Sequence, residues 1–503
     1  MKSQYYLYTL LIAALTFTSC NDWLDVAPKT EMDQEELFKT ETGFGDLLIG
    51  VYSNLCDPAL YGRNMTFNMF DLIAGYYGSG GGVLQPRITQ YGYKKQYATN
   101  SVYDITPMVD EIWTGLYKQI ANLNSMLAVI DDYQDVFSGD NYRLFKGEAI
   151  GLRAFLHFEL LRMFGQPYAT GRDSLCIPIV KELGAFVTPL STVDEAATLI
   201  LADLVEAKEL LTSDPMYLGT TPSKVITPPL GCTNEMNSWG VYDWHNRRMN
   251  FNYYAVIGTM ARLYQWKGDK ANALAAVKEI IEVQPEKFNW VINSNLTGIS
   301  SGTAYAQDRT FTTEHLFALN MQYLEDYTDS YLVLKTSSWD VTEVLDITNS
   351  LQQIYEGLTA DPRLQYNTAQ LLSRRVCSKY WQPEEAGAFF KNRMAMIRLS
   401  EMYYIAAEAS PTPVEGVAYL NEVRTHRGLS ALPTSISADE LQEEILKEYR
   451  KELICEGQLW FYYKRHLFPT IPNLNNGNTM TYFVSTSYYT FNRPDIEDSY
   501  GGR

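Results

Sequence analysis

A chain of 503 residues with 46% hydrophobic and 20% charged side chains has material for one large core or two intimate ones, which excludes a small stapled scaffold. Its net charge of −18 excludes a nucleic-acid partner, because neutralising phosphates requires clustered Lys and Arg. The 37 tyrosines and nine tryptophans are a generous supply of aromatic surface for binding.

The first segment reads as a targeting signal. Lys2 is a short positive region, Leu7 to Phe17 are apolar but too short to span a bilayer, and Thr18-Ser19 place small residues before Cys20. This order predicts a signal peptide over residues 1–19 and a cysteine that becomes the lipidated N-terminus. Acyl chains on Cys20 would anchor the chain firmly, at roughly 0.8 kcal/mol per buried methylene. Residues 20–42 read as anchor and polar tether, with Pro28. The remaining cysteines, Cys56, Cys176, Cys232, Cys377 and Cys455, are odd in number and contain no CxxC spacing. Complete pairing is therefore impossible, a metal site is not expected, and buried free thiols are the simplest state, while four of the five could form two disulfides of unspecified pairing in an oxidising compartment.

Helical patterns dominate the body, residues 43–503, read as a single domain. From Glu111 to Val129 the positions Trp113, Leu116, Tyr117, Ile120, Asn124 and Leu127 recur at helical spacing. Glu148 to Phe164 is apolar almost all round and reads as a central buried helix ended by Gly165 and Pro167. Ser191 to Asp194 form a capping arrangement for a helix through Ile200, Leu204 and Leu211. Residues 212–250 are an irregular excursion rich in Pro and Gly. Ala261 to Tyr264, the Gly268-Asp269 turn and Ala273, Ala276 and Ile280 then resemble a tetratricopeptide helix pair, and Met402 to Val423 has the same character. The predicted fold is mainly α: helix pairs over 43–211, 251–285 and 395–466 stack into a curved support, and 286–394 form an irregular region with short strands. Thr479 to Ser487 read as strand or loop.

With these elements in place, the chain resembles the SusD/RagB family of outer-membrane nutrient-binding lipoproteins. The likeness rests on Asn21 to Asp25 with Pro28, on Phe44 to Tyr52, and on Gly147-Glu148 through Leu152-Arg153-Ala154 to Phe164-Gly165 and Pro167. Leu420 to Arg424 with Arg427-Gly428, and Arg450 to Leu453 with Glu456-Gly457, complete five motifs in the family's order. Gln458, Phe461 and Tyr462 depart from the Arg and Asp-Leu that commonly follow that last motif. The resemblance implies a cell-surface lipoprotein that sits on a SusC-like TonB-dependent transporter and hands it a glycan, or less often a peptide. It further implies that the motifs are architectural, with Glu148 and Arg153, and Glu452 and Arg450, in ion pairs inside the support.

Catalytic patterns are missing. The five histidines share no HExxH or common face, Gly78 to Gly82 lack the Lys-Ser/Thr of a phosphate loop, and Tyr133 stands where an EF-hand over Asp131 to Asp140 needs an oxygen ligand. No enzyme activity and no cofactor beyond the lipid on Cys20 are expected; calcium has no support. Capture without chemistry calls for flat aromatic faces and a few polar groups on loops carried by a rigid body. Candidates are Tyr76 and Tyr77 before the glycine run, Tyr91 and Tyr93 after it, and Trp239 and Trp244 in the long excursion. Tyr323, Tyr327, Tyr331 and Trp339 lie in the irregular region, and Asp71, Arg87 and Asp340 are polar groups that would orient a ligand. Two other readings survive: an oligopeptide-binding uptake lipoprotein, and a surface interaction protein without a small ligand.

Overall fold

The computed structural model describes residues 36–77, 105–184, 187–218, 244–292, 307–332, 344–371, 373–381, 391–472, 474, 481–483 and 489–500. The expected signal peptide, Cys20 and the tether to residue 35 lie outside these residues. The body begins before residue 43. Phe38 is buried 4.7 Å from the Phe44 ring, and Thr40 caps the first helix by accepting from the Gly43 N–H.

The longer helices among the described residues, in chain order, are α1 (Glu41–Leu55), α2 (Thr106–Leu127), α3 (Asn141–Phe164), α4 (Val193–Leu210), α5 (Tyr253–Lys267), α6 (Lys270–Lys287), α7 (Leu324–Leu332), α8 (Leu399–Ala409), α9 (Pro413–His426), α10 (Ala438–Glu452) and α11 (Leu459–Arg465). Leaving α7 and α11 aside, each packs on the next, α1 on α2 and so on through α6 on α8 to α9 on α10, which makes one continuous row of paired helices. The local causes are visible in the sequence. Thr192 and Glu195 form a reciprocal capping box at the start of α4. Gly268, at φ 76°, closes α5, and Asp269 opens α6 by accepting from the Asn272 N–H. From Gly147 to Phe164 every residue of α3 is buried, in keeping with its largely apolar surface, and its charged residues Glu148, Arg153, Glu159 and Arg162 are ion-paired.

Short strands occupy the irregular region, in accord with expectation. β1 (His315–Asn320) pairs antiparallel with β4 (Arg393–Arg398), which leads straight into α8, while β2 (Thr368–Leu371) and β3 (Arg374–Cys377) form a hairpin. A strand at Thr481–Phe483 falls within the expected strand or loop near the C-terminus.

Buried ions join the irregular region to the helical row. Glu452 accepts from Arg363, Arg398 and Arg427, and Glu448 accepts from Arg363, Arg424 and Lys451. Arg427 also donates to both oxygens of Glu314, and Lys379 donates to Glu456. The expected partners within each motif do not pair. Arg153 reaches Asp203 across to α4, and Glu148 is held by Arg247, Tyr52 and Asn250. Residues two or five apart on a helix point to different faces, so Glu452 and Arg450, like Glu148 and Arg153, must find partners on other elements.

Gly457, at φ 69°, turns the chain between α10 and α11 with its α-carbon against residues 65 and 66; a Cβ there would lie 2.3 Å from the Met65 carbonyl oxygen. Gly457→Ala is expected to cost about 2 kcal/mol or more, from left-handed strain plus displaced backbone, and to lower the thermal midpoint accordingly.

Acid should destabilise the fold. Burial disfavours ionisation of Glu448, but Arg363, Lys451 and Arg424 outweigh it and hold the carboxyl at about 2. Its contribution is complete above the ordinary Glu value and is lost as pH falls from about 4.5 toward 2. Burial also drives His157 down to about 3. The neutral ring donates from Nδ1 to the Arg153 carbonyl and accepts the Val180 N–H at Nε2, so protonation breaks that second bond. This contribution is lost as pH falls from about 6.5 toward 3. Asp308, raised by burial to about 6, acts oppositely and penalises the fold as pH rises through its window. Glu452 and Glu408, held low by their arginines despite burial, and His315, lowered by burial, add to the acid loss, while Asp71, raised by burial, sides with Asp308. The lowered groups outnumber the raised ones and predict a lower thermal midpoint at about pH 4 than at about pH 7, measurable by circular dichroism.

Candidate functional site

The short helix α7 carries a row of tyrosines. Leu324, Thr328 and Leu332, four residues apart, are buried and fix the helix on the body. Tyr323, the residue just before α7, and Tyr327 and Tyr331 within it each precede one of these and so sit about 100° around the axis, at the rim of the buried stripe. Tyr323 is 55% exposed, and its ring lies 6.3 Å from that of half-buried Tyr327. Half-buried Tyr331 turns inward onto Phe67 and receives a hydrogen bond of 3.1 Å from Arg63, whose guanidinium also lies 5.7 Å from the ring centroid. Burial, followed by the nearby Asp57 charge, raises the pKa of Tyr327, so its hydroxyl stays neutral and can both donate and accept. The row thus offers graded aromatic surface, open at Tyr323 and anchored at Tyr331, with the Asp57 charge within electrostatic reach of Tyr327 and the Arg63 guanidinium on Tyr331. Steps of four residues advance about 6 Å along a helix, a spacing suited to successive rings of a polymer.

The other expected site residues divide in two. Tyr91, Tyr93, Arg87, Trp239, Trp339 and Asp340 lie outside the described residues, as does the Trp244 side chain. Asp71, Tyr76 and Tyr77 are corrected: all three are core residues, with exposures of 0%, 0% and 2%. Asp71 accepts the Cys455 and Gly457 N–H groups and so holds the turn after α10, while Tyr77 donates to the Phe67 carbonyl and Tyr76 to that of Arg450. These groups are committed to folding and cannot face a ligand. Arg63 and Asp57 were missed because no local pattern connects them to a helix some 270 positions later in the chain. The carboxylate of Asp131 is taken by Lys146 and Tyr142.

A second concavity lies in the helical row, where Tyr168, Trp266, Lys267, Glu408, Arg465 and His466 line a pocket of about 210 Å³. The Arg465 guanidinium grips both oxygens of Glu408 and holds that carboxyl well ionised despite burial. The volume falls below the roughly 300–1,000 Å³ of ordinary ligand pockets, so the ion pair reads as a support of the helix contacts.

Comparison with known proteins decides the family. The family described as "Starch-binding associating with outer membrane" (SusD-like) matches residues 22–226, and the SusD family matches residues 323–500, so the two together span most of the chain. The chain belongs to the SusD family. Among curated relatives, SusD-like protein P25 of Formosa agariphila is 23% identical over 175 residues, 33% of this chain. That match spans only 31% of P25's own length. A SusD superfamily protein from Bacteroides thetaiotaomicron has the same fold, with a TM-score of 0.65 at 20% identity, over 92% of this chain and 98% of that one. A SusD-like carbohydrate-binding protein from Bacteroides vulgatus gives 0.59 at 19% identity over 92% and 96%. Surface glycan-binding protein A from Bacteroides uniformis gives 0.60 at 17% identity over 92% and 98%. SusD family proteins are carbohydrate-binding proteins of the outer-membrane surface, and they bind without catalysing. Among the described residues of this member, no helix is long and apolar enough to cross a membrane.

Proposed function

We propose that this SusD-family chain captures a glycan at the cell surface, through the tyrosine row of α7, and delivers it to a SusC-like TonB-dependent transporter. The observation that carries the reading is the exposed Tyr323 ring, at the start of α7, beside Tyr327 at the rim of a helix whose adjoining stripe is locked into the core. A sugar ring presents one face of C–H groups and an edge of hydroxyls, which an aromatic ring with adjacent Asp57 and Arg63 can meet together. Trp339 and Asp340 follow α7 in sequence and are further candidates for ligand contact. The membership itself supports the outer-membrane setting and the choice of carbohydrate over peptide, and Cys20 supplies the lipid anchor.

Two experiments test this. The chain lacking residues 1–20 is titrated calorimetrically against panels of polysaccharides and oligopeptides; heat with a polysaccharide is expected. Binding to peptides alone would overturn the glycan reading in favour of an oligopeptide receptor. In cells given labelled palmitate, the full chain should take up label and its Cys20→Ala variant should not; an unlabelled full chain would refute the anchor.

A further inference from the structure

Two thiols that ligand capture does not use meet in the core. Cys377 ends β3 and Cys455 follows α10 at φ 67°; both are fully buried free thiols, and each lies near enough to the other to influence its ionisation. The backbone on both sides is fixed by independent contacts. Lys379, two residues after Cys377, donates to the carbonyls of Glu452 and Ile454, both at 2.9 Å. Tyr380 donates to the Cys455 carbonyl at 2.9 Å, and Asp71 accepts the Cys455 N–H. The Tyr77 hydroxyl lies 3.4 Å from the Cys455 sulfur and closes the site. The other described cysteines are elsewhere: the Cys56 thiol faces the Asn320 carbonyl and that of Cys176 faces the Ser191 carbonyl.

We infer that Cys377 and Cys455 are joined by a disulfide in the exported chain. The inference rests on the extracytoplasmic location proposed above, because thiols this close persist unpaired only in a reducing compartment. The oxidant is a thiol–disulfide oxidoreductase in its disulfide form. One Cys thiolate attacks it to give a mixed disulfide, and the second displaces the carrier, forming one S–S bond. Two electrons and two protons pass to the carrier, which leaves as a dithiol. Burial of both sulfurs in the finished fold places this exchange before residues 377–380 dock on the turn after α10. Afterwards the same burial shields the bond from soluble reductants. The bond would fasten the β2–β3 hairpin covalently to α10, beside the Lys379–Glu456 ion pair.

The test compares two preparations: the full chain recovered after export, and the chain lacking residues 1–20 made in a reducing cytosol and then refolded in a glutathione redox buffer. Each is unfolded in guanidinium with iodoacetamide, with and without prior reduction, and digested for peptide mass mapping. In both, the peptides bearing Cys377 and Cys455 should be linked until reduced, with Cys56 and Cys176 alkylated throughout; in the refolded chain Cys377→Ser should abolish the link. A refolded chain in which both thiols are alkylated, or in which either is bridged to Cys56, Cys176 or Cys232, overturns the pairing. A linked refolded chain beside an unlinked exported one overturns the extracytoplasmic reading instead.

Discussion

Glu452→Ala is expected to destabilise the protein by about 3–5 kcal/mol, the loss typical when one member of a buried ionic cluster is removed. Its Oε1 accepts from Arg398 at 2.6 Å and Arg427 at 2.7 Å, and its Oε2 from Arg363 at 2.9 Å and Arg427 at 3.1 Å. All three arginines are at most 1% exposed, so water cannot replace the missing oxygens. Arg363 would keep Asp361 and Glu448, Arg398 would keep Glu456, and Arg427 would keep Glu314. The cluster would therefore carry one uncompensated positive charge and several unbonded N–H groups. Because these arginines come from β4, the C-terminal cap of α9 and the segment before β2, the loss should loosen the irregular region from the helical row. Asp131→Ala is the contrast: its pair with Lys146 is surface-exposed, with 57% of the Asp131 side chain open to water, and its removal should cost less than about 1 kcal/mol. Denaturant titration of both variants checks the difference. Equal, small losses would mean that the buried cluster adds nothing over a surface pair.

Removing the tyrosine rings should have the largest effect on binding. Tyr323→Ala with Tyr327→Ala deletes the open end of the row while leaving Leu324, Thr328 and Leu332 to hold α7. A stacked aromatic is worth about 1–2 kcal/mol when it covers an apolar ligand face. The double variant should therefore bind its glycan about 30- to 1,000-fold more weakly. Tyr323, more than half exposed, contributes little to folding, so circular dichroism and thermal midpoint should change far less than affinity.

The helical row was legible because its signals are local: the capping box at Thr192, the Gly268-Asp269 turn, and the largely apolar surface of α3. The partners of the motif charges were not, because Glu148 finds Arg247 and Glu452 finds Arg363 across long stretches of chain. Tyr76 and Tyr77 looked accessible beside the glycine run, yet the chain is still in the core at residue 77. Asp71 looked like a free acid, and only the turn at Cys455 to Gly457 explains its burial. The tyrosines of α7 stand at helical spacing, but Thr, Ser and Asp in that stretch favour other conformations, and so the helix was hidden in an irregular region.

The most direct measurement is parallel calorimetric titration of the wild-type chain and the Tyr323→Ala/Tyr327→Ala variant, both lacking residues 1–20, with a polysaccharide found in the screen. Saturable heat for the wild type and a collapse in affinity for a folded variant are the expected results. Equal affinity in the two proteins would contradict glycan capture at this helix.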